Sequence, residues 1–293
     1  MTKLKTALRA FLCALAMLPA LPAAAEEPAA PALWKVADED TTIWLFGTIH
    51  ILPGDVAWYA GPVAAALNGS SELVTEIAID QTQDSQAIIA ARSRREDGRT
   101  LRDTFSPKER AAYEAGLASI GLPPEAFDAN DAWFAGLMLT LIPLRQAGYN
   151  LESGVDTQVA KIAQGRQMAN HALETADFQI GLFDSLPEKI QRRYLMQVLE
   201  ALPQVKEDIG AMVAAWQVGQ ADRLAQLLNE EEDDPKLRKV LLTGRNKAWA
   251  KWLRARLKQP GTVFVAVGAG HLAGKGSVQD QLARRGIKAA RVQ

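Results

Sequence analysis

Apolar residues recur with two different periods along this 293-residue chain, every second position near both ends and every third to fourth position through the middle. Near the start, "LWKVA" at 33–37 and "TTIWLFG" at 41–47 flank the polar triplet "DED", which predicts a β-hairpin. A short helix is expected around Pro62 to Leu67, followed by a strand at "ELVTEIAI", 72–79. From about 84 to 148 the pattern turns helical. In "SPKERAAYEAGLASIG", Ser106 is a natural N-cap, Pro107 suits the first helical position and Gly121 supplies a stop. "DAWFAGLMLTLIPLRQAG" predicts a buried helix, "VDTQVAKIAQG" a short one capped by Asp156, and "RQMANHALET" a strand. Four further helical segments follow between about 180 and 259, the last read as one helix over 235–259. "GTVFVAVGAGH", a helix through "GSVQDQLARRG" and a closing strand "IKAARVQ" end the chain. Strands at both ends around a helical middle predict an α/β (α+β) fold, with a mixed sheet built from both chain ends and a large, mainly helical middle segment.

Composition narrows the setting. Lys3, Lys5 and Arg9 precede an apolar stretch that ends in "AAA" before Glu26, the arrangement of a secretory signal over residues 1–25 with cleavage after Ala25. Pro19 and Pro22 break that stretch too soon for it to make a comfortable membrane span. The single cysteine, Cys13, falls inside it, so the secreted remainder, 26–293, is expected to be one cysteine-free domain with no stable membrane insertion, located in the periplasm. "EEPAAPA" at 26–32 reads as a flexible lead-in. Without the three basic residues of the signal, 30 basic side chains face 34 acidic ones, and no basic stripe marks a nucleic-acid surface. The run "EEEDD" at 230–234 reads as a solvated loop.

Candidate chemistry gathers where the strands end. "LFGTIH" and "VGAGH" carry the same Gly-x-x-His plan, Gly47 with His50 and Gly268 with His271, each at the carboxyl end of a β-prone run. Open α/β sheets bind ligands at such ends. Two imidazoles suit a divalent ion but call for a carboxylate to complete a site. Glu76 lies inside an apolar strand, where an unpaired carboxylate is costly and needs a cation, a proton or a metal. Glu174 ends a strand in the same manner, and "ESGVD" puts Glu152 and Asp156 ahead of a helix. His171 lacks the glycine context and reads as structural. Arg245 projects from an apolar helix face defined by Leu241, Trp249 and Trp252, so it needs an anionic partner, while Asn246 beside it can orient a ligand or cap a carbonyl. His50, His271 and Glu76 are expected within roughly 10 Å of one another, with Arg245 at the rim. Arg245→Lys is expected to impair ligand handling with little change in melting temperature. The chain lacks H-E-x-x-H and G-x-S-x-G, and a secreted form without Cys13 has no thiol nucleophile.

Taken together, "LFGTIH", Glu76 in "ELVTEIAI", "GYNLESGVD", "ALETADFQIGLFDSLP", "RN" at 245–246 and "VGAGHLAGKGSVQDQLARRG" resemble the TraB/PrgY/GumN family, which is related to the Tiki metalloproteases. The resemblance spans nearly all of 26–293. It departs at "QMANHALET", which is more polar than the valine-rich strand usual before that glutamate. The resemblance implies a cleft in which both histidines and Glu76 gather, metal-dependent peptide hydrolysis with manganese or cobalt, His50 and His271 as the ligand pair, and Glu76 as ligand or general base. It further implies Arg245, Asn246 and Glu174 as supporting residues. The expected function is a secreted metal-dependent hydrolase acting on a peptide or small amide substrate. The alternative is a non-catalytic binding protein that sequesters a peptide, haem or a metal ligand through the same histidines.

Overall fold

A computed structural model describes residues 28–54, 56–78, 82–229 and 235–293. The stretch 1–25 read as a secretory signal, Cys13, the Ala25–Glu26 bond and the acidic run at 230–234 lie outside the described residues. The strands are β1 (Leu33–Ala37), β2 (Thr41–Thr48), β3 (Leu52–Pro53), β4 (Glu72–Ile77), β5 (Tyr149–Asn150), β6 (Ala169–Glu174), β7 (Gly261–Gly268) and β8 (Ala290–Arg291). The first helices are α1 (Gly61–Asn68), α2 (Thr82–Arg92), α3 (Pro107–Ser119), α4 (Ala132–Gln146) and α5 (Val155–Gly165). They are followed by α6 (Ala176–Asp184), α7 (Glu188–Ala201), α8 (Val205–Gln217), α9 (Ala221–Asn229), α10 (Pro235–Arg238), α11 (Gly244–Arg256) and α12 (Val278–Ala283). Among the described residues no helix is long and apolar enough to cross a membrane.

Both chain ends do meet in one mixed sheet, ordered β6-β4-β7-β2-β1-β8. β6, β4, β7 and β2 run parallel, while β1 is antiparallel to β2 and to β8. The central strand β7, "GTVFVAVG", is nearly all apolar because helices cover both of its faces. Its pleat sorts side chains between two cores. Phe264 and Ala266 join Phe46, Leu73 and Trp216 on one face, whereas Val263, Val265 and Val267 join Ile43, Leu45, Val74 and Trp249 on the other. The helical middle adds a third core, with Leu101, Tyr113, Leu117, Leu139 and Leu195 packed together.

The hairpin turn forms as expected, with the Asp38 carboxylate accepting from the Thr41 N–H. The cap of α3 is also as expected: Ser106 and Glu109 exchange capping bonds, and Gly121 adopts φ +77° beyond the end. Three expectations need correction. Residues 28–32 do not trail free, because Ala29 and Ala30 donate to the carbonyls of Ala57 and Gln217. Asp156 does not cap α5; Gly154 holds that position and Asp156 lies in the first turn. The segment 235–259 is not one continuous helix, since a π turn at Lys239–Thr243 separates α10 from α11, which ends at Arg256.

Candidate functional site

Parallel pairing sets Thr48 beside Gly268 and Thr75 beside Ala266, so the carboxyl ends of β2, β7 and β4 finish at one level, with Ile77 of β4 paired to Glu174 of β6. His50 follows β2 in a loop, while His271 sits in a short 3₁₀ turn, Ala269–Leu272, directly after β7. A Cβ on Gly268 would lie 3.2 Å from Glu76 Oε1, 3.6 Å from His50 Nε2 and 3.7 Å from His271 Cδ2. Each pair of those atoms is separated by at most the sum of two of these distances, so none is more than about 7 Å apart. A methyl group there would press on the Glu76 carboxylate and touch both rings at the meeting point. Gly47 serves a neighbouring contact, since its Cβ would come within 3.0 Å of Ala269, the first residue of the turn that carries His271.

His50 is held from behind. Its Nδ1 lies 2.8 Å from Asp156 Oδ2, and the Thr48 hydroxyl donates to the other Asp156 oxygen at 2.5 Å. Facing a carboxylate, Nδ1 carries its proton and turns Nε2 toward the cleft. The two-residue pairing of β3 with β5, together with the bond from Val155 N–H to the Ile49 carbonyl, ties the start of α5 to the His50 loop. This crossing is tight, because a Cβ on Gly154 would stand 2.2 Å from the His50 carbonyl oxygen. Gly154→Ala is therefore expected to cost about 1–3 kcal/mol. It should also shift the His50 loop, which paired urea melts and activity measurements would report.

His271 is held differently. Its Nδ1 meets Asn246 Oδ1 at 2.6 Å, while the Asn246 amide nitrogen donates to the Gly276 carbonyl at 2.9 Å. Arg245 Nη1 lies 3.1 Å from His271 Nε2, and a guanidinium only donates, so Nε2 accepts and the proton resides on Nδ1. The rest of the Arg245 fork binds carboxylates: Nη2 reaches Glu76 at 2.6 Å and Glu174 at 2.7 Å, and Nε reaches both Glu174 oxygens. Gln179 donates to the same oxygens of Glu76 and Glu174, each at 2.9 Å. The Trp249 indole N–H bonds Glu174 at 2.8 Å, and its ring lies 4.3 Å from His271 and 4.8 Å beneath the Arg245 guanidinium. Arg245 is thus 11% exposed at the centre of the cluster, not at its rim.

One motif therefore occupies two environments. The His50 side chain is 65% exposed, and Asp156 first of all raises its pKa to about 9, against burial of the remainder and the field of Arg245. His271 is 7% exposed, and burial lowers its pKa to about 4 although Glu76 opposes the shift. For Glu76, burial favours the neutral acid most strongly, yet the fields of His271, Arg245 and His50 with the Gly268 N–H hold it at about 2. At neutral pH His271 is uncharged, so Arg245 and His50 supply the positive field and Glu76 is ionised. The chain has three histidines, which makes the contrast measurable. In chelator-treated protein, proton NMR should show one imidazole titrating near pH 9 and lost in His50→Ala, and another unprotonated down to about pH 4 and lost in His271→Ala.

The structure brings Gly47, His50, Glu76, Asp156, Glu174, Arg245, Asn246, Gly268 and His271 together. It does not bring Glu152, whose carboxylate is 79% exposed and pairs with Lys161 at the surface. Its carboxylate bonds Lys161 and none of the site residues, so Glu152 is withdrawn as a supporting residue. His171 also stays outside, exposed and 3.9 Å from Glu72. Thr48, Gly154, Gln179 and Trp249 are additions. Thr48 and Gly154 stood inside quoted motifs, but their partners lie roughly a hundred residues away, beyond the reach of local periodicity.

Imidazole nitrogens and a carboxylate suit a divalent transition ion; His271 is uncharged with Nε2 unprotonated, whereas His50 must first lose the proton it carries at neutral pH. In the present arrangement Arg245 engages His271 Nε2 and Glu76 Oε2, and His271 Nε2 lies 4.0 Å from Glu76 Oε1. Among the described residues no group of three or more His, Cys, Asp and Glu is arranged to hold a metal ion. The chemistry of the donors suits such an ion, while Arg245 occupies two of them and is also bonded to Glu174.

The TraB/PrgY/gumN family model matches residues 32–291, and the chain belongs to that family. It is similar to the uncharacterised protein YbaP of Escherichia coli (strain K12), with 24% identity over 238 residues, 81% of this chain and 86% of the relative. YbaP of Shigella flexneri matches to the same extent. No solved structure matches the chain significantly.

Proposed function

We propose that this TraB/PrgY/gumN family member is a secreted, periplasmic, metal-dependent hydrolase of peptide or similar amide bonds. The observation that carries the reading is the convergence of two oriented imidazoles, an ionised buried glutamate and a guanidinium on one point at the strand ends. Hydrolysis adds water to the carbonyl carbon, breaks the C–N bond and leaves an acid and an amine. The site must therefore activate a water, move its proton and stabilise an oxyanion.

His50 Nε2, His271 Nε2 and a Glu76 oxygen would hold the ion, with manganese or cobalt as candidates. When bound, it supplies Lewis acidity and a water of lowered pKa. The protein's own groups prepare for this. Asp156 and Asn246 fix the two rings with Nε2 turned inward. Glu76, ionised at neutral pH, can accept a cation or a proton but has no proton to give. Arg245, still anchored on Glu174, keeps a positive fork beside the reacting carbonyl. Charging of His50 at neutral pH means that ion uptake releases a proton there.

The deciding experiment is metal analysis of the purified secreted form, followed by peptide-library cleavage with and without chelator. Bound metal and chelator-sensitive cleavage support the reading. Cleavage that survives exhaustive chelation overturns its metal dependence, and a tight coloured complex without turnover favours a binding protein.

A further inference from the structure

A cavity of ≈ 270 Å³ opens beside the cluster, with Arg245 and His271 forming part of its wall. It is smaller than the roughly 300–1,000 Å³ of pockets that enclose a whole small ligand, so it suits one side chain of a larger substrate. Leu182 and Phe183 of α6 and Leu241 and Leu242 of the π turn supply its apolar lining, and all four are only partly buried. Such a lining gains by covering more apolar surface. Arg238, the last residue of α10, also lines the cavity. Its guanidinium donates to the Lys275 carbonyl at 3.1 Å, and among the described residues no carboxylate is paired with it. Arg245 contrasts with it, its fork being committed to Glu174, Glu76 and His271.

We infer that this cavity is the specificity subsite of the hydrolase and that it takes a bulky apolar side chain whose own carboxylate is bound by Arg238. The inference rests on the hydrolase reading above and narrows its substrate class to peptides or N-acyl amino acids that end in a free apolar residue. Hydrolysis of that terminal amide consumes one water and releases a shortened acid and the apolar amino acid. The division of labour follows from the surroundings of the two arginines. The guanidinium already ringed by site residues serves the reacting carbonyl, and Arg238 on the wall of the apolar chamber supplies a planar, bidentate carboxylate contact. The π turn between them accounts for the chamber, since its wide backbone presents Leu241 and Leu242 beside the site.

Binding can be tested without turnover. Chelator-treated protein would be titrated calorimetrically with N-acetyl-phenylalanine, its amide and N-acetyl-glycine. The acid with the phenyl ring should bind about tenfold more tightly than either of the others. Arg238→Gln should remove the preference for acid over amide, and Leu242→Trp should weaken the phenylalanine probe while sparing the glycine one. If Leu242→Trp fails to fold by circular dichroism, Phe183→Ala should instead move the preference toward N-acetyl-tryptophan. Equal binding of acid and amide, indifference to Arg238→Gln, or no binding up to roughly 10 mM would each overturn the subsite. Probe binding without cleavage of any peptide would leave the subsite standing and remove the hydrolase reading. Cleavage without a free-carboxylate preference would do the reverse.

Discussion

Arg245→Met is expected to destabilise the protein by about 3–5 kcal/mol, because it leaves the nearly buried carboxylates of Glu76 and Glu174 without their cation. Methionine preserves much of the stem's packing, so the loss isolates the charge. Glu174→Gln added to Arg245→Met should recover part of the loss, since one uncompensated anion is then removed; simple additivity in a urea-melt cycle would contradict the shared network. The pH dependence has a definite sign. In the native protein Glu76 is depressed from 4.5 to about 2, so its contribution is present above about pH 4.5 and is lost as pH falls toward 2. Without Arg245, one of the fields that lower that pKa is gone, so Glu76 takes up its proton at a higher pH than in the native protein. The stability gap between variant and native protein should therefore narrow as pH falls from neutral. Arg245→Lys is expected to fall between the two and to lower the melting temperature more than retention of the charge alone suggested. The guanidinium makes six hydrogen bonds to Glu174, Glu76, His271 and the Leu241 carbonyl, and one ammonium cannot reproduce that fork.

Arg245 also shows how far local sequence reasoning reaches. A cation on an apolar helix face announces an anionic partner, and an acid within an apolar strand announces a cation, so both halves of the pair were legible; their match was not, because 169 residues separate them. Period-two runs revealed β2, β4 and β7, and their glycine-histidine endings pointed to one edge of the sheet. Asp156 was visible as a carboxylate opening a helix, but its partnership with His50 depends on β3 and β5, which have two residues each and leave no periodic signal. Local sequence also hid the difference between the two histidines. Gly-x-x-His reads the same in both copies, while burial and the groups behind each Nδ1 are properties of the assembled ends. The π turn was equally hidden, since its apolar spacing resembles that of an ordinary helix continued by two more turns.

That difference between the histidines governs the second large effect. His50→Ala should reduce hydrolysis by roughly 10²–10⁴-fold and abolish metal retention, with a modest fall in melting temperature, because the ion pair that raises the His50 pKa is lost while the ring is mostly exposed and Asp156 keeps its bond from Thr48. His271→Ala should abolish the same two functions and lower stability further. It opens a cavity against Trp249 and strands the Asn246 carbonyl oxygen, which is buried. Asp156→Asn separates orientation from ligation. It retains a polar contact but removes the charge that holds the proton on Nδ1, so His50 should titrate below 9 and activity should fall less than in His50→Ala. If the two histidines hold one ion, His50→Ala combined with His271→Ala should lose little more activity than either substitution alone, since the ion is already gone after the first. Multiplicative losses in the double variant, or metal retained by either single variant at native stoichiometry, would assign the histidines to separate tasks.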